Sequence, residues 1–307
     1  MGNFIFIFIN IIIPVFLQIA LGYGLHKKFN LNVGTLIKIQ FYAFLPSLLF
    51  VKIYETELSK ETIFTITLYS LILFSILYLV SWLVTKLNKY PAPLAKAFIN
   101  SVCFYNSGNY CLPIIELLYN DPFALSIQII ITMAQNITSN TIGIFNASSG
   151  NQNKMQALVS TLKMPMGYAI ALALLLKAMK INMWGPLLST VSILGEGLVP
   201  LALFTLGVQL ANVSINFKIP KVYLSNVIRL VLSPMIAYII TLIMGMNGVI
   251  AQVMIISAAA PTAVNTALMA IEFDNETEFA SHAVFSATVF SAFTVTLVIY
   301  LVTSFIQ

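Results

Sequence analysis

The sequence predicts an all-α polytopic membrane protein: ten transmembrane helices arranged as two inverted five-helix repeats, with helices 4 and 9 broken. Three observations carry this expectation. The chain of 307 residues is 59% hydrophobic and only 8% charged, against roughly 25% charged residues in an ordinary soluble domain. It divides into ten apolar runs, each close to the ~20 residues that cross a bilayer as a helix. Prolines also recur at matching places in the two halves of the chain.

The runs lie near residues 3–25, 32–52, 62–85, 94–119, 122–146, 156–176, 184–211, 220–245, 247–271 and 278–305. The first has no basic residue before it and His26, Lys27 and Lys28 after it. That order is the reverse of a cleavable signal peptide, so the run reads as a spanning helix with its N-terminus outside. The fifth run opens on Asp121-Pro122, a side-chain cap followed by a proline at the first helical position. Asn275, with Glu278 three residues on, reads as a capping pair for the tenth. Cys103 and Cys111 both fall in the fourth run and are expected to be small buried apolar residues, with no disulfide framework and no metal site. The longest polar stretch, "NASSGNQNK" at 146–154, joins repeat one (1–150) to repeat two (151–307), and 1–307 reads as one membrane domain.

The net charge of +5 comes mostly from short turns between runs, where lysine sets orientation. With the N-terminus outside, Lys27, Lys28, Lys38, Lys86, Lys89, Lys96, Lys154, Lys163, Lys218, Lys221 and Arg229 lie inside, against Lys52, Lys60, Lys177 and Lys180 outside. This satisfies the positive-inside rule. It places both termini outside a plasma membrane and leaves no basic patch for nucleic acid.

Prolines fall in the first, second and fourth runs of each half, at Pro14, Pro46 and Pro113 and at Pro165, Pro200 and Pro261, with offsets of 151, 154 and 148 residues. "FLPSLLF" around Pro46 also resembles "LVPLALF" around Pro200. Because five runs is an odd number, the second half enters the membrane from the opposite side. The repeat is therefore inverted, as in secondary transporters.

The fourth run holds "FYNSGNYCLPIIELLY", a polar, helix-breaking stretch that hydrocarbon tolerates only beside other protein or a wet cavity. Pro113 and Pro261 lack an amide proton and would deprive the carbonyls of Asn109 and Ser257 of helical partners, cutting each run into two half-helices. Each new N-terminus would carry roughly half a positive charge toward an anion. Asn106, Ser107, Asn109 and Tyr110 would supply side chains from one half, and Ser257, Thr262 and Asn265 from the other. The alternative is that both prolines only kink packed helices, with the small polar residues serving helix contacts.

"NSGNYCLP", "PLALFTLGVQLA" from Pro200 and "APTAVNTALMAIEFDNETEFASHAVFSATVFS" from Ala260 resemble the auxin efflux carrier family, which includes bacterial malate-permease-like carriers. The resemblance runs over nearly the whole chain. It implies a scaffold part and a transport part, with the fourth and ninth helices crossing at their prolines. It also implies a small organic anion such as malate or an auxin-like acid bound at Asn109, Pro113, Pro261 and Asn265, and it suggests a homodimer. Where the family often carries glycine two residues before the first proline, this chain has Cys111, and the long soluble loop of the plant exporters is missing.

Acids inside apolar runs are the candidates for coupling to a proton. Glu196 is either such a group or a neutral hydrogen-bonded acid. Glu116, close to the outer boundary, is expected to snorkel rather than to couple. Arg229 is expected to snorkel to the inner face, the alternative being an anion-attracting role. In the fifth run Gln135 with Ser139, and Asn136 with Asn140, form polar stripes at i, i+4. They either bind helices together or line a cavity. Ser281, Thr288 and Ser291 do the same in the tenth. No sodium motif is evident, so proton and sodium both stay open as coupling ions, and no cofactor is expected. An intramembrane hydrolase is disfavoured, since "YNSG" lacks a glycine two before the serine and no H-E-x-x-H occurs. An anion channel, or a sensor that binds the anion without moving it, would share the same residues. Saturable, gradient-driven flux separates a carrier from both.

Overall fold

A computed structural model describes residues 4–55, 59–148, 165–212 and 220–306. Lys154, Lys163, Lys218, the linker beyond 148 and the first part of the sixth run lie outside the described residues. Among the described residues twelve helices follow in order: α1 (Phe4–Phe29), α2 (Val33–Glu55), α3 (Lys60–Leu87), α4 (Ala92–Cys103), α5 (107–119), α6 (122–147), α7 (Pro165–Ala178), α8 (Gly185–Ala211), α9 (Pro220–Ile243), α10 (Gly248–Ala258), α11 (Val264–Glu272) and α12 (Thr277–Phe305). Among the described residues six of them, α1, α2, α3, α8, α9 and α12, are long and apolar enough to cross a membrane. Large apolar side chains such as Leu17, Leu79, Ile243 and Phe305 stand exposed on their outer faces, as in a protein whose solvent is lipid. The chain is an integral membrane protein. The fourth run holds α4 and α5 and the ninth holds α10 and α11, so both of these runs are interrupted.

Local chemistry explains the helix starts. Asn32 accepts from the amide of Thr35 at 2.8 Å, Ser59 from Thr62 at 3.0 Å, and Asp121 from Phe123 and Ala124 at 3.2 and 3.3 Å, ahead of Pro122. The Asn275–Glu278 capping pair does not form: α12 begins at Thr277, so its N-cap is Glu276, whose φ of 51° is left-handed and whose side chain makes no capping hydrogen bond. Asn275 is instead drawn into the protein, its amide donating to Ala270 O at 2.9 Å.

Four of the prolines inside helices are absorbed by wide turns. π turns at Phe8–Ile12, Gln40–Phe44, Ser107–Cys111 and Ile228–Leu232 each end two residues before a proline, at Pro14, Pro46, Pro113 and Pro234. A proline ring collides with the carbonyl four residues back and offers that carbonyl no proton. The i to i+5 spacing of a π turn relieves the clash without ending the helix.

Packing divides the chain into two bundles. α1, α2, α7 and α8 pack on one another, and α3, α4, α5, α6, α9, α10, α11 and α12 form the second group. Between α1 and α8 the backbones touch: a Cβ built on Gly22 would lie 2.1 Å from Phe204 O, and one on Gly207 only 1.9 Å from Ile19 O. Only glycine fits either position, and this small-residue contact is how helices approach closely in lipid.

Candidate functional site

The two interruptions meet. Tyr105, between α4 and α5, forms an antiparallel bridge with Thr262, between α10 and α11. Asn106 N donates to Pro261 O at 2.8 Å, and Ala263 N to Phe104 O at 2.9 Å. The Thr262 hydroxyl donates to Ser101 O at 2.8 Å. An unpaired backbone group in hydrocarbon costs several kcal/mol, so each unwound stretch is tolerated because the other supplies its partners.

Pro261 lies within its unwound stretch, but Pro113 does not. The fourth run unwinds at Phe104–Asn106, seven residues before Pro113, which sits in the continuous helix α5 behind the π turn. The expectation that Pro113 cuts this run is therefore corrected. What starts α5 is Asn106, whose Oδ1 accepts from Asn109 N at 3.1 Å. The π turn leaves the Ser107 carbonyl to side chains of α6: Gln128 donates to it at 3.0 Å and Thr132 at 3.1 Å.

The half-helix ends are segregated by sign. The last turns of α4 and α10 expose carbonyls, and those of Val102 and Ala258 both accept from the Arg229 guanidinium. The first turns of α5 and α11 open on the other side, onto a cavity of about 70 Å³ that Gly108, Asn109, Val264 and Asn265 help to line. α11 begins there without any side-chain cap. The cavity lies between the bundles, with Gln40, Leu198, Ala202 and Gln209 on its α2 and α8 side. Among the described residues its lining contains the carboxamides Gln40, Asn106, Asn109, Gln135, Asn136, Gln209 and Asn265 and no acidic or basic side chain. Gln40 Nε2 donates to Asn109 Oδ1 across the bundle boundary. Gln40 Oε1, Asn106 Nδ2, Gln135 Oε1, Ser139 Oγ and Gln209 Oε1 are buried with no protein partner. Buried polar atoms in this condition call for a ligand or water, and together they offer both donors and acceptors.

Of the residues singled out from the sequence, Asn106, Ser107, Asn109, Gln135, Asn136, Ser139 and Asn265 line this cavity. Pro261 and Thr262 build the bridge behind it. Tyr110 is turned away, its hydroxyl 2.9 Å from that of Ser291 on α12. Cys111 is likewise buried, its sulfur against Ser257 O. Asn140 sits within a π turn at Ser139–Gly143 and does not reach the lining. Glu116 faces Lys52 at 3.9 Å, and Glu196 is exposed on the outer surface of α8. Arg229 does not snorkel: it is fully buried, because its acceptors lie inside the protein rather than at the interface. Gln40, Thr132 and Gln209 line the cavity without having been singled out. Gln40 and Gln209 carried a signal, a lone carboxamide inside an apolar run on either side of a proline segment.

No curated protein matches this chain. A family model described as membrane transport protein matches residues 7–299, nearly the whole chain, and agrees with the motifs quoted above. The chain belongs to this membrane transport protein family, the auxin efflux carriers.

Proposed function

We propose that the protein is a secondary carrier for a small organic anion, a carboxylate such as malate or an auxin-like acid, working by alternating access. The observation that carries this reading is the cavity itself. It lies between two separately packed bundles and is lined by neutral carboxamides, with the N-terminal turns of two half-helices facing it. Those turns supply partial positive charge, and the unpartnered Asn106 Nδ2 and Ser139 Oγ supply hydrogen-bond donors for a carboxylate. A carboxylate is held by Asn109 and Asn265, with Asn106 and Ser107 completing the α5 side and Gln135 and Asn136 the α6 wall.

At about 70 Å³ the cavity is smaller than the roughly 300–1,000 Å³ of ordinary small-molecule sites. Substrate therefore enters when the second bundle moves against the α1, α2, α7 and α8 scaffold. The Gln40–Asn109 contact breaks in that movement. In this reading the chain is one domain, not an enzyme, with ten transmembrane segments in two inverted repeats and both termini outside the plasma membrane.

The test is charge movement in proteoliposomes on a solid-supported membrane, challenged with jumps of dicarboxylates, monocarboxylates and indole acids. A saturable response to one acid class, confirmed by tracer uptake down an imposed gradient, is the expected result. It should be lost in Asn109→Ala and Asn265→Ala while both variants remain folded in the membrane. Wild-type rates in both would sink the site, and binding without any flux would make the protein a sensor.

A further inference from the structure

The second polar centre of the molecule lies behind Tyr105, which lines the cavity, and is not itself part of the lining. Arg229 on α9 is fully buried and has no carboxylate partner among the described residues. A bare charge there is costly unless it is hydrogen-bonded on most sides. Nη1 donates to Val102 O at 2.8 Å, and Nη2 to Ala258 O and Ser233 Oγ. Ser233 Oγ also donates to Ala258 O at 2.9 Å. The Tyr105 ring lies 4.7 Å from Cζ, within cation–π range. Tyr105 is the residue that bridges the two unwound stretches.

These partners are the C-terminal carbonyls of both half-helices that end at the crossing, together with a hydroxyl and an aromatic face. Two helix ends of about half a negative charge each sum to about one, the charge that one guanidinium carries. Carbonyl and hydroxyl oxygens converging on a positive centre also describe a site for a hard cation. Carbonyl ends of broken helices serve that purpose in transporters that bind sodium.

We infer that Arg229 is a tethered cation: its guanidinium permanently fills a carbonyl cage behind the crossing, cancels both negative helix ends, and leaves the positive ends facing the cavity unopposed. Arg229 is a positioning residue, since it touches neither the cavity nor anything bound there. This rests on the carrier reading above for its effect on flux, but not for the cage. It follows that the carrier needs no dissolved cation at this place, and that emptying the cage creates such a need.

The experiment is Arg229→Gly, assayed in proteoliposomes with choline, sodium or millimolar guanidinium as the added cation, and in parallel by thermal melting in detergent. Flux should fall at least about tenfold in choline. Guanidinium should restore it and raise the melting temperature of the variant, and should do neither in wild type. Wild-type flux in choline, or folded variant protein that guanidinium changes in neither assay, would overturn the inference. If no acid drives flux even in wild type, the carrier reading fails while the melting arm still decides the cage. If Arg229→Gly cannot be recovered folded, Arg229→Lys is compared with Arg229→Met. Better folding and flux with lysine support the tethered charge, and equal loss refutes it.

Discussion

The glycine contact between α1 and α8 makes a prediction with an internal control. A methyl group added at Gly207 would lie 1.9 Å from Ile19 O, whereas a carbon and a carbonyl oxygen rest at about 3.3 Å or more. The two backbones must then separate by roughly 1.4 Å, the difference between those distances. Both contacting atoms are backbone or fixed to it, so no side chain can swing aside. Overpacking of this kind costs about 1–3 kcal/mol or more, against the roughly 1 kcal/mol that alanine gains over glycine in a helix. Gly24, two residues from Gly22 on the same helix, has nothing within 4 Å of its Cβ position. Gly207→Ala and Gly22→Ala should therefore melt several degrees below wild type in detergent, while Gly24→Ala should melt at or slightly above it. The same melting temperature for all three would refute the close approach and with it the rigid scaffold against which the second bundle is proposed to move.

Two further substitutions separate the crossing from its proline. Thr262→Val keeps the side-chain shape but leaves the buried Ser101 carbonyl without its 2.8 Å donor. It should cost about 1–2 kcal/mol, the range of interhelical hydrogen bonds in membranes, read as a lower melting temperature. Pro113→Ala, placed seven residues beyond the unwound stretch, should retain most flux, whereas total loss would return the break to that proline.

How legible this was in the sequence differs from residue to residue. The apolar runs and the Asp121 cap depend on neighbours a few positions away; among the described residues the long runs at the two ends of the chain are helices and the cap forms. That the fourth and ninth runs are interrupted was also readable, from clustered helix breakers. The point of interruption in the fourth was not. A proline inside a helix can be absorbed by a π turn, and the groups that stabilise the real break, Pro261 O and Ala263 N, come from the far half of the chain. The environment of Arg229 is hidden from the sequence for the same reason. Its distance along the helix suggested the inner interface, but its acceptors include Val102, 127 residues away. Gln40 and Gln209 are not distinguishable in the sequence, because a single amide in an apolar run resembles a helix contact until two bundles place both beside one cavity.

The composition of that cavity bears on coupling. Among the described residues its lining holds amides, hydroxyls and one tyrosine, Tyr105, but no acid, lysine, arginine or histidine. Glu196 stands on the outer surface of α8, and Glu116 faces Lys52. Under the carrier reading, the group that titrates at the substrate site across pH 5–8 is therefore the substrate's own carboxyl. Helix ends and carboxamides favour its ionised form, so flux should follow the fraction of anion present and shift with the acid's own pKa. Two substrates of well-separated pKa should give two displaced profiles, and Glu196→Gln should move neither. A single profile common to both acids would refute this account. It would mean that a protein group controls transport from outside the cavity lining, and a profile abolished by Glu196→Gln would identify that group.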